Sequence, residues 1–266
     1  MTLFVNYYSV NGAKSGGEFD AKVEIGDGKL LEEQTTNPVS YLTKGSTGQE
    51  VPQWGERTHP QAVIAWALAR YGRHGLTMTS GFNLNGIVLI DRAVDAGDSG
   101  EVVFGDTGYH FPETLATRDR VAARYPDLQF VTLQANRPDD RMFATDPDQC
   151  CRLRKVNPVI EYMDRKKPTA LLSGRSRDQS NTRASLDFIE TGPDRDSINP
   201  LIHWDRAALE SYAKVRELPL NPLYDQGFLS IGCAPCTRAV RSGEHPRTGR
   251  WPGMKKTECG LWQSKA

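Results

Sequence analysis

No run in this sequence approaches the ~18 consecutive apolar residues of a membrane span, and the N-terminus lacks the basic and apolar regions of a secretion signal. A cytoplasmic protein without membrane contact is expected. Charge of one sign is not in excess either. The 33 Lys and Arg balance 33 Asp and Glu, which argues against a polycation built to hold nucleic acid, so any anion site must come from local clustering. There is no internal repeat and no low-complexity tract, and nothing matches the G-x-x-x-x-G-K-[ST] phosphate loop. The five histidines (His59, His74, His110, His203, His245) are scattered. They form neither a Ser/His/Asp set nor a metal-binding spacing and are read as structural. Cysteine is scarce and odd in number, five in all, a poor basis for a disulfide scaffold in a compartment that keeps thiols reduced.

What is present is an ordinary globular composition, 38% apolar and 25% charged over 266 residues, enough for one large domain or two small ones. Residues 1–56 are rich in Gly, Ser, Thr and Asn, with short strands predicted at 3–9 and 21–25. Ala62, Ile64, Ala65, Leu68 and Ala69 stand at helical spacing and predict a helix over 59–71. Strands follow at 76–79, 101–104, 128–133 and 170–173, separated by helices at 86–96, 112–125 and 156–165. This alternation implies an α/β fold, a mostly parallel sheet flanked by helices. Ligands then sit beyond the carboxyl ends of the strands. The loops there read Thr79-Ser-Gly-Phe-Asn, Gly105-Asp-Thr-Gly and Ser173-Gly-Arg-Ser-Arg-Asp. After Asn199 one helix is predicted at 206–216, then an irregular tail that holds three of the five cysteines.

The cysteines fall into an adjacent pair, Cys150 and Cys151, a Cys-x-x-Cys pair, Cys233 and Cys236, and a single Cys259. Four soft thiolates suit zinc or an iron–sulfur centre. Adjacent side chains diverge, which is awkward around one tetrahedral ion and easier on the separate iron corners of a [4Fe–4S] cube; buried thiols with an incidental knuckle are the plain alternative. Cys259, near Arg247, Arg250, Lys255 and Lys256, is either a nucleophilic thiolate or an ordinary surface cysteine. Arg175, Arg177 and Arg183 cluster in one loop and Arg247 and Arg250 in another, where guanidinium forks suit phosphate or sulfate oxygens. Backbone N–H groups around Ser80-Gly-Phe-Asn can hold phosphate at a strand-to-helix turn. Asp106-Thr-Gly serves either a nucleotide or the cap of the helix near Pro112.

From about residue 60 to 263 the chain resembles the assimilatory adenylyl-sulfate reductases, relatives of the phosphoadenylyl-sulfate reductases and of the N-type (PP-loop) ATP pyrophosphatases with their adenine nucleotide alpha hydrolase-like fold. The matching blocks are Asp106-Thr-Gly-Tyr-His-Phe-Pro-Glu-Thr, Cys150-Cys-Arg-Leu-Arg-Lys, Arg177-Asp-Gln-Ser-Asn-Thr-Arg, Asn199-Pro-Leu, Asn221-Pro-Leu-Tyr-Asp-Gln-Gly, Ser230-Ile-Gly-Cys-Ala-Pro-Cys-Thr, Gly249-Arg-Trp and Lys256-Thr-Glu-Cys-Gly-Leu. The resemblance implies an α/β domain over 57–242, a mobile catalytic tail over 243–266, and an N-terminal extension, 1–56, without a recognised role. It implies that Cys150, Cys151, Cys233 and Cys236 hold a [4Fe–4S] cluster, that Lys155 links the cluster to the substrate, and that Cys259 is the nucleophile. Arg247 and Arg250 then hold the phosphosulfate. Ser80, Gly81, Phe82, Asn83, Asp106, Thr107, Gly108, Gly174, Arg175 and Arg177 fall in nucleotide-site loops.

The implied reaction is reduction of adenylyl sulfate to sulfite and AMP through an S-sulfocysteine, with a separate thioredoxin or glutaredoxin as electron donor, in sulfate assimilation and cysteine biosynthesis. Two departures stand out: Gly81-Phe-Asn replaces the family's Ser-Phe-Gly, and Trp262 replaces the histidine of Glu-Cys-Gly-Leu-His. Phosphoadenylyl sulfate, or both nucleotides, is the nearest alternative substrate. A sulfur-inserting PP-loop enzyme acting on nucleic acid is the remote one, since its Ser-Gly-Gly-x-Asp-Ser loop is missing. A non-enzymatic iron–sulfur sensor needs neither a nucleotide pocket nor the Glu-Cys-Gly tail. A homo-oligomer stays open.

Overall fold

The structure, a computed structural model, describes residues 22–25, 29–32, 42–44, 50–52 and 54–261. The chain divides into two compact units, Met1–Trp54 and Gly55–Ala266. In the first, β1 (Lys22–Ile25) pairs antiparallel with β2 (Lys29–Glu32), and β3 (Leu42–Lys44) with β4 (Glu50–Pro52). β1 covers most of the strand predicted at 21–25; the strand predicted at 3–9 lies outside the described residues, as does Trp262.

The second unit opens with α1 (Pro60–Gly75), whose start is fixed by two residues. The His59 ring nitrogen Nδ1 accepts from the Gln61 amide (3.3 Å), and Pro60 occupies the first turn, where a missing N–H costs nothing. The helix kinks at Gly72, which takes φ +67°, a value that suits glycine. β5 (Leu76–Thr79), α2 (Leu84–Asp95), β6 (Glu101–Asp106), α3 (Pro112–Arg124) and β7 (Gln129–Gln134) follow in strict alternation. Then come α4 (Pro147–Cys151), α5 (Asn157–Lys166), β8 (Ala170–Ser173), β9 (Ile189–Glu190), β10 (Asp196–Ile198) and α6 (Arg206–Val215). The helix predicted at 156–165 is thus preceded by α4 and by a π-helical turn, Arg152–Val156. Pro158 explains the break, because it cannot donate to the carbonyl four residues back and the ladder loosens just upstream.

The six strands β5–β10 form one sheet in the order β7-β6-β5-β8-β10-β9, parallel throughout except for β9, which runs antiparallel to β10. β6 and β8 are buried almost end to end, as strands covered on both faces must be. On one face Val159 and Met163 of α5 pack with Val103 and Leu171, and Leu261 of the tail joins this cluster. On the other, Phe82 packs edge-on to Phe104 with ring centroids 5.2 Å apart. From β5 the chain moves outward to β6 and β7, then returns to β8 on the opposite side of β5. The β5/β8 boundary is therefore the switch point of the sheet, where a crevice opens at the carboxyl ends. Among the described residues, no helix is long and apolar enough to cross a membrane.

Candidate active site

The crevice is built from the two loops that leave β5 and β8. Ser80 is buried, and its Oγ accepts from the Phe82 amide (3.0 Å). This tight turn puts Phe82 at φ +51° and drives its ring into the core, 1% exposed. Asn83 then caps α2, its Oδ1 accepting from the Gly86 amide (2.9 Å). The β8 loop lies directly on that first turn: a Cβ at Gly174 would come within 2.9 Å of the Asn85 carbonyl oxygen. Between the loops is a cavity of about 210 Å³. Its wall includes Ser80, Gly81, Asn83, Gly174 and Arg175, together with Lys155, Arg247, Arg250 and Cys259.

Five residues of the predicted set lie off this wall. Phe82 belongs to the core. Arg177 turns to the neighbouring loop, donating to the Leu186 carbonyl (2.7 Å) and pairing with Asp187 (3.4 Å). Asp106 accepts from the Gly108 amide (2.9 Å), so both residues shape the β6–α3 loop. Thr107 faces a second, smaller cavity, its hydroxyl 3.2 Å from Cys233 Sγ. Arg175 lies on the main wall, but its guanidinium pairs with Glu190 and bonds Ser173 Oγ (3.0 Å).

The smaller cavity is lined by Cys150, Cys151, Cys233 and Cys236. All five cysteines are free, and among the described residues no group of three or more His, Cys, Asp or Glu side chains is arranged around a single ion. Six residues line both cavities: His110, Lys155, Gly232, Arg250, Trp251 and Cys259. Trp251 Nε1 and Arg250 Nε are buried on this shared wall without a hydrogen-bond partner. The Lys155 side chain crosses Gly105, where a Cβ would lie 3.2 Å from its Cγ. Arg250 stacks on Trp251, 4.3 Å from the ring centroid.

Cys259 differs electrostatically from its neighbours. Burial opposes its ionisation, but Lys155, the Leu261 amide and Arg250 outweigh burial and hold its pKa below the ordinary thiol value. At Cys150, Cys151 and Cys236 burial dominates and the pKa is raised. The tail is docked here. Arg247 donates to the Thr257 carbonyl and pairs with Glu258 (3.2 Å), while burial pushes its pKa down to about 10.

Sequence reading missed several wall residues: His110, Arg206, Tyr224, Trp251 and Glu258. Tyr224 accepts from the Leu84 amide (2.7 Å) and so supports the start of α2. Its block, Asn221-Pro-Leu-Tyr, carried the signal, but nothing local joins it to a helix 140 residues away. His110 is fixed by Phe104, with ring centroids 4.9 Å apart, and by the Gly105 carbonyl, 3.3 Å from Nε2.

Fold and site together define an α/β protein with a cationic crevice at a sheet switch point and, on its wall, a cysteine whose pKa is lowered. The fold alone recurs in an FMN adenylyltransferase from Candida glabrata, at 16% identity and TM-score 0.54 over 70% of this chain and 65% of that one. A phosphoadenylyl-sulfate reductase from Candida auris is 28% identical, TM-score 0.60, over 69% of this chain and 91% of that one. An adenosine 5'-phosphosulfate reductase from Deinococcus radiodurans is 56% identical over 249 residues, 91% of this chain and 95% of the relative. The family described as the phosphoadenosine phosphosulfate reductase domain matches residues 75–239, more than half of the chain. The chain belongs to that family and is an oxidoreductase.

Proposed function

We propose that the chain reduces adenylyl sulfate to sulfite and AMP, with Cys259 as the nucleophile and a separate thioredoxin-type dithiol as the electron donor. The observation that carries this reading is the position of Cys259, a thiol with a lowered pKa on the wall shared by the crevice and the four-cysteine cavity, beside Lys155 and Arg250. The Deinococcus relative, named for the unphosphorylated nucleotide, supports adenylyl sulfate over its 3′-phosphorylated form.

The nucleotide lies in the crevice against the Ser80–Asn83 turn and Gly174, with its phosphosulfate toward Lys155, Arg247 and Arg250. These cations offset the repulsion between an anionic nucleophile and an anionic substrate. The Cys259 thiolate attacks the sulfo sulfur, a new S–S bond forms, and the bond to the bridging oxygen breaks so that AMP leaves with the electron pair. A thiolate of the donor then attacks Cys259 Sγ. Sulfite departs with the pair from the broken S–S bond, and the donor's second thiol resolves the mixed disulfide, giving back the Cys259 thiolate. The donor ends as a disulfide, which supplies the two electrons. On this reading residues 57–242 supply the nucleotide site and 243–266 the nucleophile, in the reducing cytoplasm where such dithiols work.

Cys150, Cys151, Cys233 and Cys236 would hold a [4Fe–4S] cluster. The donor set fits: four soft sulfurs line one cavity, and the unpartnered N–H groups of Trp251 and Arg250 beside it suit sulfur acceptors. When bound, the cluster supplies local charge and a rigid wall next to the substrate.

The test is Cys259→Ser in anaerobically purified protein. The reading predicts loss of sulfite release with iron content unchanged. Sulfite release by the variant at the parent's rate would contradict it.

A further inference from the structure

Cys259 follows a glutamate whose contacts reach far across the sequence. Glu258 Oε1 accepts from Ser180 Oγ (3.2 Å), Thr182 Oγ1 (3.2 Å) and Arg183 Nε (3.1 Å). Its Oε2 accepts from Arg183 Nη2 (2.9 Å) and lies 3.2 Å from the Arg247 guanidinium. The two side chains of the main pair are largely buried, 16% exposed for Arg183 and 18% for Glu258. Charge-assisted, bidentate bonds of this kind are the strong ones, more so out of water.

We infer that Glu258 is the positioning residue for Cys259: the loop 180–183 grips its carboxylate and so docks the tail with the thiol on the crevice wall. The inference rests on reading Cys259 as the nucleophile. The grip is anchored to the crevice itself. Arg183 also bonds Gln179 Oε1, which accepts from the Ser176 amide (3.2 Å), and Ser176 is fully buried behind the β8 loop. The Glu258 carboxylate is already committed to the Arg183 and Arg247 guanidinium groups, so its part is mechanical rather than acid–base. Arg247 thereby acts on the tail, through Glu258 and the Thr257 carbonyl. Two further ties flank the grip: Lys256 pairs with Asp148, and Leu261 packs on Val103, Val159, Met163 and Leu171. Loss of the grip therefore loosens the segment that carries Cys259 while the tail stays attached on both sides.

The experiment follows alkylation of Cys259 by the neutral reagent iodoacetamide at about pH 9.5, where docked and undocked thiols alike are mostly ionised, measured on its peptide by mass spectrometry in the full chain purified anaerobically. The variants are Glu258→Gln, Arg183→Gln and the double substitution, with no nucleotide added. Each single change should speed labelling by roughly tenfold, the loss expected for one charge-assisted pair, and the double should be no faster than Glu258→Gln alone. Arg183→Gln is the decisive arm, since removing a cation does not enlarge the thiolate fraction and faster labelling then reports undocking. Labelling of Arg183→Gln at the parent's rate, or additive acceleration in the double variant, would overturn the inference. A parallel incubation with adenylyl sulfate should show a sulfo adduct forming more slowly in both single variants than in the parent. An adduct missing from the parent itself, with the labelling pattern intact, would count against the proposed function and not against the docking role.

Discussion

Asp91→Ala removes the carboxylate on which three elements converge. Asp91 lies on α2, 1% exposed. Its Oδ1 accepts from Tyr125 Oη (2.6 Å), at the end of α3. Its Oδ2 accepts from Tyr212 Oη (2.5 Å) on α6 and from Arg216 Nε (3.0 Å) just beyond it. Burial and the hydrogen bond to Asp91 raise the pKa of Tyr125. At Arg216 burial works against the charge, yet Asp91 overcomes it and raises the pKa. Breaking a buried ion pair by removing one partner costs about 3–5 kcal/mol. Arg216 keeps a second partner in Asp95 (2.8 Å), which places the variant near the lower end, about 3 kcal/mol. For a unit of this size each kcal/mol is worth roughly 2–4 °C, so the transition should fall by about 6–12 °C. Scanning calorimetry of the full chain reads this directly. Nucleotide affinity at 20 °C should hold, because Asp91 is about two helical turns from the Asn83 cap. A fall of less than about 3 °C would refute the view that Asp91 ties α2, α3 and α6 together.

Three further outcomes follow. His59 is held neutral by burial and by the Arg92 charge, its pKa lowered to about 4 from 6.5, so between those values the unfolded chain binds a proton that the folded chain does not. Stability is then fully present above pH 6.5, falls as pH drops toward 4 by at most about 3 kcal/mol, and Asn at this position flattens the dependence; urea unfolding at pH 7 and 5 measures it. Gly174→Ala forces a Cβ against the Asn85 carbonyl, which should cost about 1–3 kcal/mol and raise KM for the nucleotide; an unchanged KM would mean that the β8 loop does not shape the site. Cys236→Ser should lose bound iron and sulfide on chemical analysis, and retention of both would remove the cluster from the account.

The fold was legible where burial dictates composition. Leu76–Thr79 and Ala170–Ser173 were bounded correctly because each is a short run ending at a polar, glycine-containing loop. β9 and β10 went unseen: Asp196-Ser-Ile has no apolar pattern, and its pairing with β8 is decided by tertiary contact. α2 begins at Leu84, two residues before the predicted start, because the Asn83 cap was not read as one. The site was legible as residue types. Which arginine does what was not, because Arg175 meets Glu190, Arg177 meets Asp187, and Arg183 meets Glu258 75 positions away. No local spacing encodes such pairings.

The most direct test incubates the anaerobically purified protein with adenylyl sulfate or its 3′-phosphorylated form, without any thiol reductant, and maps the product by peptide mass spectrometry. The account predicts a sulfo group on the Cys259 peptide, formed faster with adenylyl sulfate. No adduct with either nucleotide, from protein with its iron intact, would contradict it.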